Sequence, residues 1–467
     1  MRGLGQQGGS SPRRAGVWGH LLYRPSLRQR RRHPVLDELE RLEVEQWMNA
    51  AKVQAIQRAR LMEIVRYALD HVPFYRRWRE EAGNRSLRLP EDWHQLPILS
   101  RRVLAEQARS LQGDGSPPPG SRWNHTGGST GQPVAFVQDD AYRVANLAAV
   151  ARHDRWAGWD FGARTALIWG ADRDLGAAQP WSERQKTRWL RRQMELDAFD
   201  LGRERMERFT ARMARFRPQV IRGYASALEL YAAYLEEKGR PFPPPRGVIS
   251  CAETLSAAAR KRLVRIFEAP VFDRYGSREF GLIASQCDAG GYHLNTRGVH
   301  VEILKESGIA GPGETGRVVV TGLACRAMPL IRYETGDIAR ASREGSCRCG
   351  RGLPLLGPVR GRACDFISTP DGRLIHGEFF THLFYGKRCV RAFAVHQDVE
   401  GAVTLSVVGE GAALEGQLQD ALAAVRRRLG ASAAVEARRV DRIPIPVSGK
   451  RGFVRSDAAG SRWGLDQ

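Results

Sequence analysis

The chain has 467 residues, which exceeds one simple core and suggests two or three domains. With 42% hydrophobic and 27% charged residues the composition is that of a globular protein, and no apolar run is long enough to predict a membrane span. The formal charge of +22, from 73 Lys and Arg (almost all Arg) against 51 Asp and Glu, suits an anionic partner. The zinc-finger spacings, RNP motifs and aromatic-interleaved basic runs of nucleic-acid binders do not occur.

Residues 1–33 read as a flexible basic lead-in without the apolar stretch of a signal peptide, so a cytoplasmic location is expected. From 34 to about 70, Leu36, Leu39, Leu42, Val44, Trp47, Val53, Ile56, Leu61 and Ile64 recur at helical spacing and predict one or two amphipathic helices. Residues 113–120 form a Pro/Gly loop, and 123–133 a polar glycine loop before a strand at 135–137. A helix at 139–153 and a buried strand at 164–169 follow. Next come a helix at 203–216 and a strand at 220–221. Strands at 247–250 and 271–273 flank a helix at 257–267. This alternation predicts an α/β fold.

From 298 to 340 the pattern changes to short strands (299–304, 316–321, 338–340) separated by Gly-rich turns, a β-rich subdomain. Beyond 361 a strand–turn–strand at 366–374, a strand at 403–408, a helix at 413–429 and a strand at 435–440 make a compact α+β unit of about 100 residues. Residues 359–365 read as the hinge. The expected architecture is therefore a large multi-sheet N-terminal α/β domain over 34–361 with a β-rich subdomain, followed by a small mobile α+β domain over 362–467.

Thr126, Gly127, Gly128, Ser129, Thr130 and Gly131 set hydroxyls among glycines, which allow backbone N–H groups to approach an anion. No Gly-Lys-Ser/Thr ending follows, so this is not a P-loop. Further blocks are Ser250-Cys-Ala-Glu-Thr-Leu255, Tyr275-Gly-Ser-Arg-Glu-Phe-Gly281, Tyr333-Glu-Thr-Gly-Asp337, Gly361-Arg-Ala-Cys-Asp365 and Gly449-Lys450.

In this order the blocks resemble the core motifs of the adenylate-forming superfamily, and most nearly those of its phenylacetate–coenzyme A ligase-like branch, which includes CapK-type proteins. The resemblance covers about residues 70–455. It implies ATP-dependent activation of a carboxylic acid as an acyl-AMP, with Mg2+, and transfer to an acceptor. By resemblance, Thr126 to Gly131 closes on the β- and γ-phosphates, and Ala252 and Glu253 border adenine. Tyr275 stacks on it, and Gly276 and Ser277 belong to the same ATP-binding set. Glu279 holds Mg2+, Asp337 binds the ribose hydroxyls with Arg362 assisting, and Lys450 swings in for adenylation. The missing lysine of the phosphate loop, where Val134 follows Pro133, is one of the features that point to this branch, and the sequence departs from the pattern where Cys364 replaces the charged hinge residue expected before Asp365.

Seven Cys are too few for a disulfide framework in a chain this long. Cys287-x5-His293 and Cys347-x-Cys349 are a thiolate-rich set suited to structural zinc, and part of the ligase family carries a similar site. Trp123, His125, Tyr224 and Ser250 flank the motif blocks and suggest an aromatic-lined pocket for an aryl or arylacetic acid. The acceptor stays open among coenzyme A, an amine, a carrier-protein arm and a sugar hydroxyl, with coenzyme A the family default. The rival class is a nucleotide- or nucleic-acid-binding protein with a decayed site. The oligomeric state is open, a dimer among the options.

Overall fold

A computed structural model describes residues 33–81, 92–114, 118, 120–125, 134–170, 192–198, 201–360, 366–371, 374–384, 387, 389–430, 432–443 and 454–457. The expected lead-in, apart from residue 33, lies outside the described residues, as do Thr126 to Gly131, Arg362, Cys364 and Lys450.

The N-terminal amphipathic segment forms α1 (Pro34–Glu45) and α2 (Ala50–His71). Pro34 opens α1 where a missing N–H costs nothing, and the Asn49 side chain caps α2 by accepting from the Lys52 amide at 2.9 Å. Two shorter helices, α3 (Pro73–Glu81) and α4 (Arg101–Glu106), follow. The stretch at 123–133 departs from its reading as a loop. Its start is a strand, β1 (Arg122–His125), paired antiparallel with β2 (Ala135–Gln138). Polar residues on a hairpin with an exposed face carry no strand signature.

The chain then alternates as α/β: α5 (Asp140–Trp156), β3 (Thr165–Trp169), β4 (Gln193–Asp197), α6 (Arg203–Phe216), β5 (Val220–Tyr224), α7 (Ala225–Lys238), β6 (Gly247–Cys251), α8 (Ala257–Phe267) and β7 (Val271–Ser277). From there it is nearly all strand: β8 (Gly281–Gln286), β9 (Tyr292–Leu294), β10 (Val299–Lys305), β11 (Gly308–Ile309), β12 (Thr315–Gly322), β13 (Tyr333–Ala341) and β14 (Leu355–Arg360). All of these strands from β3 onward belong to one 12-stranded sheet in the order β11-β10-β12-β13-β14-β9-β8-β7-β6-β5-β3-β4. The end containing β4, β3, β5, β6 and β7 is parallel, and everything beyond β7 is antiparallel. The β-rich part is thus joined to the parallel part edge to edge, and β7 is the changeover strand.

Two cores cover this sheet. Helix α2 lays Leu61, Ile64, Val65 and Ala68 against Val299, Ile303, Val318 and Val320 of the antiparallel end. Helices α6, α7 and α8 bury Met206, Phe209, Leu228, Tyr231, Leu263 and Phe267 against the parallel end. Helix α1 packs Leu39 and Leu42 on Ala148, Ala149 and Ala151 of α5.

The first two residues of the hinge read at 359–365 belong to a strand. Val359 and Arg360 are still strand, held in β14 opposite Ala339 and Ile338, and 361–365 lies outside the described residues. The C-terminal unit comprises a hairpin, β15 (Phe366–Ser368) with β16 (Leu374–His376), the helix α9 (Glu378–Leu383), and a four-stranded sheet. That sheet has the order β19-β18-β17-β20, from β17 (Val390–Gln397), β18 (Val403–Gly409), β19 (Val435–Arg439) and β20 (Val454–Ser456). Helix α10 (Leu414–Leu429) covers it through Leu414, Leu418, Ala421, Val425 and Leu429. The Arg428 guanidinium of α10 reaches Asp197 of β4 at 2.7 Å, so the two units touch at the parallel edge. Among the described residues no helix is long and apolar enough to cross a membrane.

Candidate functional site

Among the described residues, two gatherings of the side chains singled out in the sequence stand out. The first surrounds the end of β7. The register of β7 against β8 shifts between Tyr275 and Gly276, a bulge that re-aims the strand end. Gly276 is required there, because a Cβ would lie 2.3 Å from the Gly281 carbonyl oxygen. The Tyr275 hydroxyl donates to Asp337 Oδ2 at 2.8 Å. These two residues stand on strands that are not neighbours in the sheet, so the contact draws β13 toward the end of β7. Burial first, and then the charge of Asp337, holds the Tyr275 hydroxyl well above the usual tyrosine range, so it remains a donor.

Glu279, on the β7–β8 turn, accepts from the Tyr333 hydroxyl at 3.3 Å. Gln138 fixes that turn by donating from Nε2 to the carbonyls of Arg278 (2.9 Å) and Glu279 (3.2 Å). A small recess lined by Gln138, Tyr142, Glu279, Phe280, Cys325 and Met328 opens beside it. Gln138 and Tyr333 were not assigned roles from sequence. Tyr333 lay within a quoted block, whereas a glutamine at a strand end gives no signal. Just ahead of Tyr333, Arg332 adopts a left-handed backbone (φ 52°), pairs with Glu302 at 3.1 Å and donates to the Leu96 carbonyl at 2.7 Å. These bonds fix the start of β13.

The block after β6 is also constrained. Ala252 has φ +70°, a conformation that disfavours a side chain and concentrates at functional sites. Glu253 accepts from the Ser226 amide at 2.8 Å and from its hydroxyl, tying the end of β6 to the start of α7. Tyr224 and Ser250 are buried on neighbouring strands, with Gly223 opposite Ser250, and the Tyr224 ring lies 4.5 Å from that of Trp169. Trp123 and His125 lie on the β1–β2 hairpin, where Trp123 is 50% exposed.

The second gathering is Cys287, His293, Cys347 and Cys349, whose ligand atoms all lie within 4.8 Å of one another. Cys287 Sγ and Cys347 Sγ are 3.6 Å apart, and Cys349 Sγ is 3.2 Å from His293 Nε2. Ligands at about 2.1 to 2.3 Å around a tetrahedral ion stand at separations near these. Tight turns shape both cysteine segments, with the Gly290 and Gly350 amides donating to the carbonyls of Cys287 and Cys347 at 3.0 Å. A Cβ on Gly291 would lie 2.7 Å from Cys347 Sγ, so only glycine leaves room for the sulfur.

The His293 ring has Nδ1 3.3 Å from the Leu353 carbonyl, which selects the tautomer with Nδ1 protonated and Nε2 facing the sulfurs. Burial lowers the His293 imidazole to about 4, keeping it neutral, and raises the Cys287 thiol to about 12. Burial also opposes ionisation of Cys349, but the Arg351 backbone and side chain outweigh it and the thiol is lowered. The cluster can hold a metal ion.

Residues 367–457 match the family model of the CapK C-terminal domain. A phenylacetate–coenzyme A ligase of Thermus thermophilus is 27% identical over 336 residues, spanning 68% of this chain and 72% of the relative. The protein CapK of Staphylococcus aureus is 21% identical over 338 residues, 70% and 72% of the two chains. In fold the chain is similar to the crystal structure of a 2-hydroxyisobutyryl-CoA ligase in complex with 2-HIB-AMP and CoA, with a TM-score of 0.60 at 20% identity over 89% of this chain and 92% of that one. The same enzyme in its postadenylation state gives a TM-score of 0.56 at 21% identity over 88% and 91%.

Proposed function

We propose that this chain, which belongs to the adenylate-forming superfamily and to its phenylacetate–coenzyme A ligase and CapK-like branch, activates a carboxylic acid with ATP as an acyl-AMP and passes the acyl group to coenzyme A. The observation that carries the reading is the convergence of Tyr275, Glu279, Tyr333 and Asp337 at the end of the changeover strand. In a mixed α/β sheet such a strand end opens a natural crevice for a ligand.

In the proposed reaction the acid's carboxylate oxygen attacks the α-phosphorus of ATP, and the bond to pyrophosphate breaks. Asp337, which can only accept, would bind the ribose diol, while its bond from Tyr275 fixes its direction. Tyr275, Gly276 and Ser277, with Ala252 and Glu253, would border the adenine. Glu279 is a hard oxygen donor with one oxygen already oriented by Tyr333, and so fits Mg2+. When bound, that ion supplies positive charge against the charge gathering on the phosphoryl oxygens. Thr126 to Gly131, Arg362 and Lys450 are assigned the phosphate-loop, ribose and adenylation roles on family grounds alone. We place the mobile lid at 362–467 on the same grounds.

Cys287, His293, Cys347 and Cys349 would hold a structural zinc, since three thiolates and a neutral imidazole are a favoured tetrahedral set. Tyr224 and Ser250, with Trp123 and His125 brought in from the hairpin, are proposed to bound an aryl or arylacetic acid.

Pyrophosphate release across a panel of carboxylic acids, followed by product mass spectrometry with coenzyme A and with amines in separate tubes, tests the reading. An ATP-dependent acyl-CoA supports it. Acyl-AMP that persists with coenzyme A and is discharged only by an amine overturns the acceptor. Absence of pyrophosphate with every acid overturns the activation itself.

A further inference from the structure

Arg152, in the last turns of α5, is 1% exposed, and its Nε and Nη1 have no hydrogen-bond partner. Glu43 and Glu45 are the carboxylates whose charges reach it, and they are engaged elsewhere, by Arg155 at 3.0 Å and by Arg297. A second cation, Arg351, stands on the same side of the fold and acts against it. Burial, with the charge of Arg351 adding to it, lowers the Arg152 guanidinium to about 10. A guanidinium buried with two of its nitrogens unpartnered and no carboxylate bound directly to them is a costly arrangement in a protein.

The indole of Trp156 joins these cations to the Cys287–His293–Cys347–Cys349 cluster. The guanidinium carbons of Arg152 and Arg351 lie 5.4 Å and 4.4 Å from the Trp156 ring centre. The same ring meets the His293 imidazole nearly edge-on, 5.7 Å between centres. Its Nε1 donates to Gln46 Oε1 at 2.9 Å, and Arg351 Nε donates to the same oxygen at 3.1 Å, so the ring and Arg351 are held in place. Without an ion the four ligands, as thiols and a neutral imidazole, carry no charge against Arg152. Three thiolates and a neutral imidazole around one divalent cation carry a net charge of −1.

We propose that Arg152 is a second counter-cation of the metal–thiolate centre beside Arg351, a positioning residue that raises the cluster's affinity for zinc by its charge across the Trp156 ring. The inference rests on the zinc reading of the cluster. It assigns Arg152 a cost in the metal-free chain and a benefit in the loaded one, a reversal that ordinary packing does not produce.

The test measures zinc affinity by competition with a chromophoric chelator, and thermal unfolding with zinc and after stripping, for the full chain and for Arg152→Met and Arg152→Lys. Met replaces the stem with an unbranched apolar chain of similar reach. For Arg152→Met the expected result is zinc affinity lower by about 10- to 100-fold, with a metal-free unfolding temperature equal to or above that of the parent. Arg152→Lys, which keeps the charge, should recover most of the affinity. An Arg152→Met chain that loses the same stability with and without zinc, at unchanged affinity, overturns the inference. So does one that fails to fold without metal. If the parent chain itself binds no zinc, the zinc reading falls and this inference with it. Zinc bound equally well by parent and variant overturns this inference alone.

Discussion

The two polar clusters of the large domain are built from the same two stretches of chain, 271–294 and 333–356, yet they treat buried polar groups in opposite ways. Around the end of β7 each carboxylate already has a protein donor: Tyr275 serves Asp337 and Tyr333 serves Glu279. Around Cys287 and His293 the potential ligands face one another within 4.8 Å, an arrangement that can take a cation between them. In the proposed reading the first keeps its shape without a ligand and uses ligand binding for chemistry. In the proposed reading the second would use ion binding to hold β8, β9 and the segment before β14 together. Activity and stability should therefore separate when the two are attacked in turn.

Glu279→Ala should give the largest effect. If Glu279 holds Mg2+ as proposed, its loss should lower pyrophosphate release by about 100- to 1,000-fold, with zinc content and unfolding temperature near those of the parent. A parallel fall in unfolding temperature would make Glu279 a structural residue and erase the contrast. Cys347→Ser is the complementary break. Zinc should drop below about 0.2 per chain, with a loss of about 4 kcal/mol, roughly 10 °C in unfolding temperature, while acyl-AMP still forms below the new midpoint. Full zinc retained by this variant would remove Cys347 from the set.

Acid should distinguish the clusters more mildly. Burial lowers the imidazoles of His293 and His300 to about 4, and that of His153 further. A histidine depressed in the folded state binds fewer protons there than in the unfolded chain. Stability is then complete above the unfolded value of about 6.5 and lost as pH falls toward 4, by at most about 3 kcal/mol for His293. Thermal unfolding of stripped protein between pH 7 and 4 should show this decline, and zinc should shield the His293 share until acid displaces it. A stripped chain that gains stability on acidification would contradict the assignment. The smallest effect is expected from Tyr275→Phe. Loss of one hydrogen bond to Asp337 should raise the KM for ATP about tenfold, with kcat little changed. A kcat loss with unchanged KM would move Tyr275 away from nucleotide binding.

Much of the fold was legible because its helices bury one stripe. In α8, Ser256 caps the Ala259 amide at 3.0 Å, and Ala259, Leu263 and Phe267 recur on the buried face. Helix α7 buries Ala225, Ala227, Leu228, Leu230, Tyr231, Ala232, Tyr234 and Leu235, nearly all round, so no stripe marks it. Strand β9 has three residues, and its pairing of Tyr292 with Leu356 joins segments more than 60 positions apart. The continuity of the 12-stranded sheet depends on such pairings, which no local pattern encodes.

The sites divide in the same way. Cysteine spacing and the ordered glycine blocks pointed to both clusters. Gln138, acting through backbone carbonyls, and Arg152, reaching His293 across a tryptophan, have no sequence signature because their role lies in what folding places beside them.

Heavy-oxygen labelling of the acid tests the central proposal, activation by adenylation, most directly. The chain would be incubated with ATP, coenzyme A and its best carboxylic acid labelled in the carboxylate, and the nucleotide product weighed by mass spectrometry. Attack of the carboxylate on the α-phosphorus, followed by acyl transfer, leaves one acid oxygen on AMP, so labelled AMP and unlabelled pyrophosphate are predicted. Label appearing in inorganic phosphate alongside ADP, or turnover with unlabelled AMP, would contradict it.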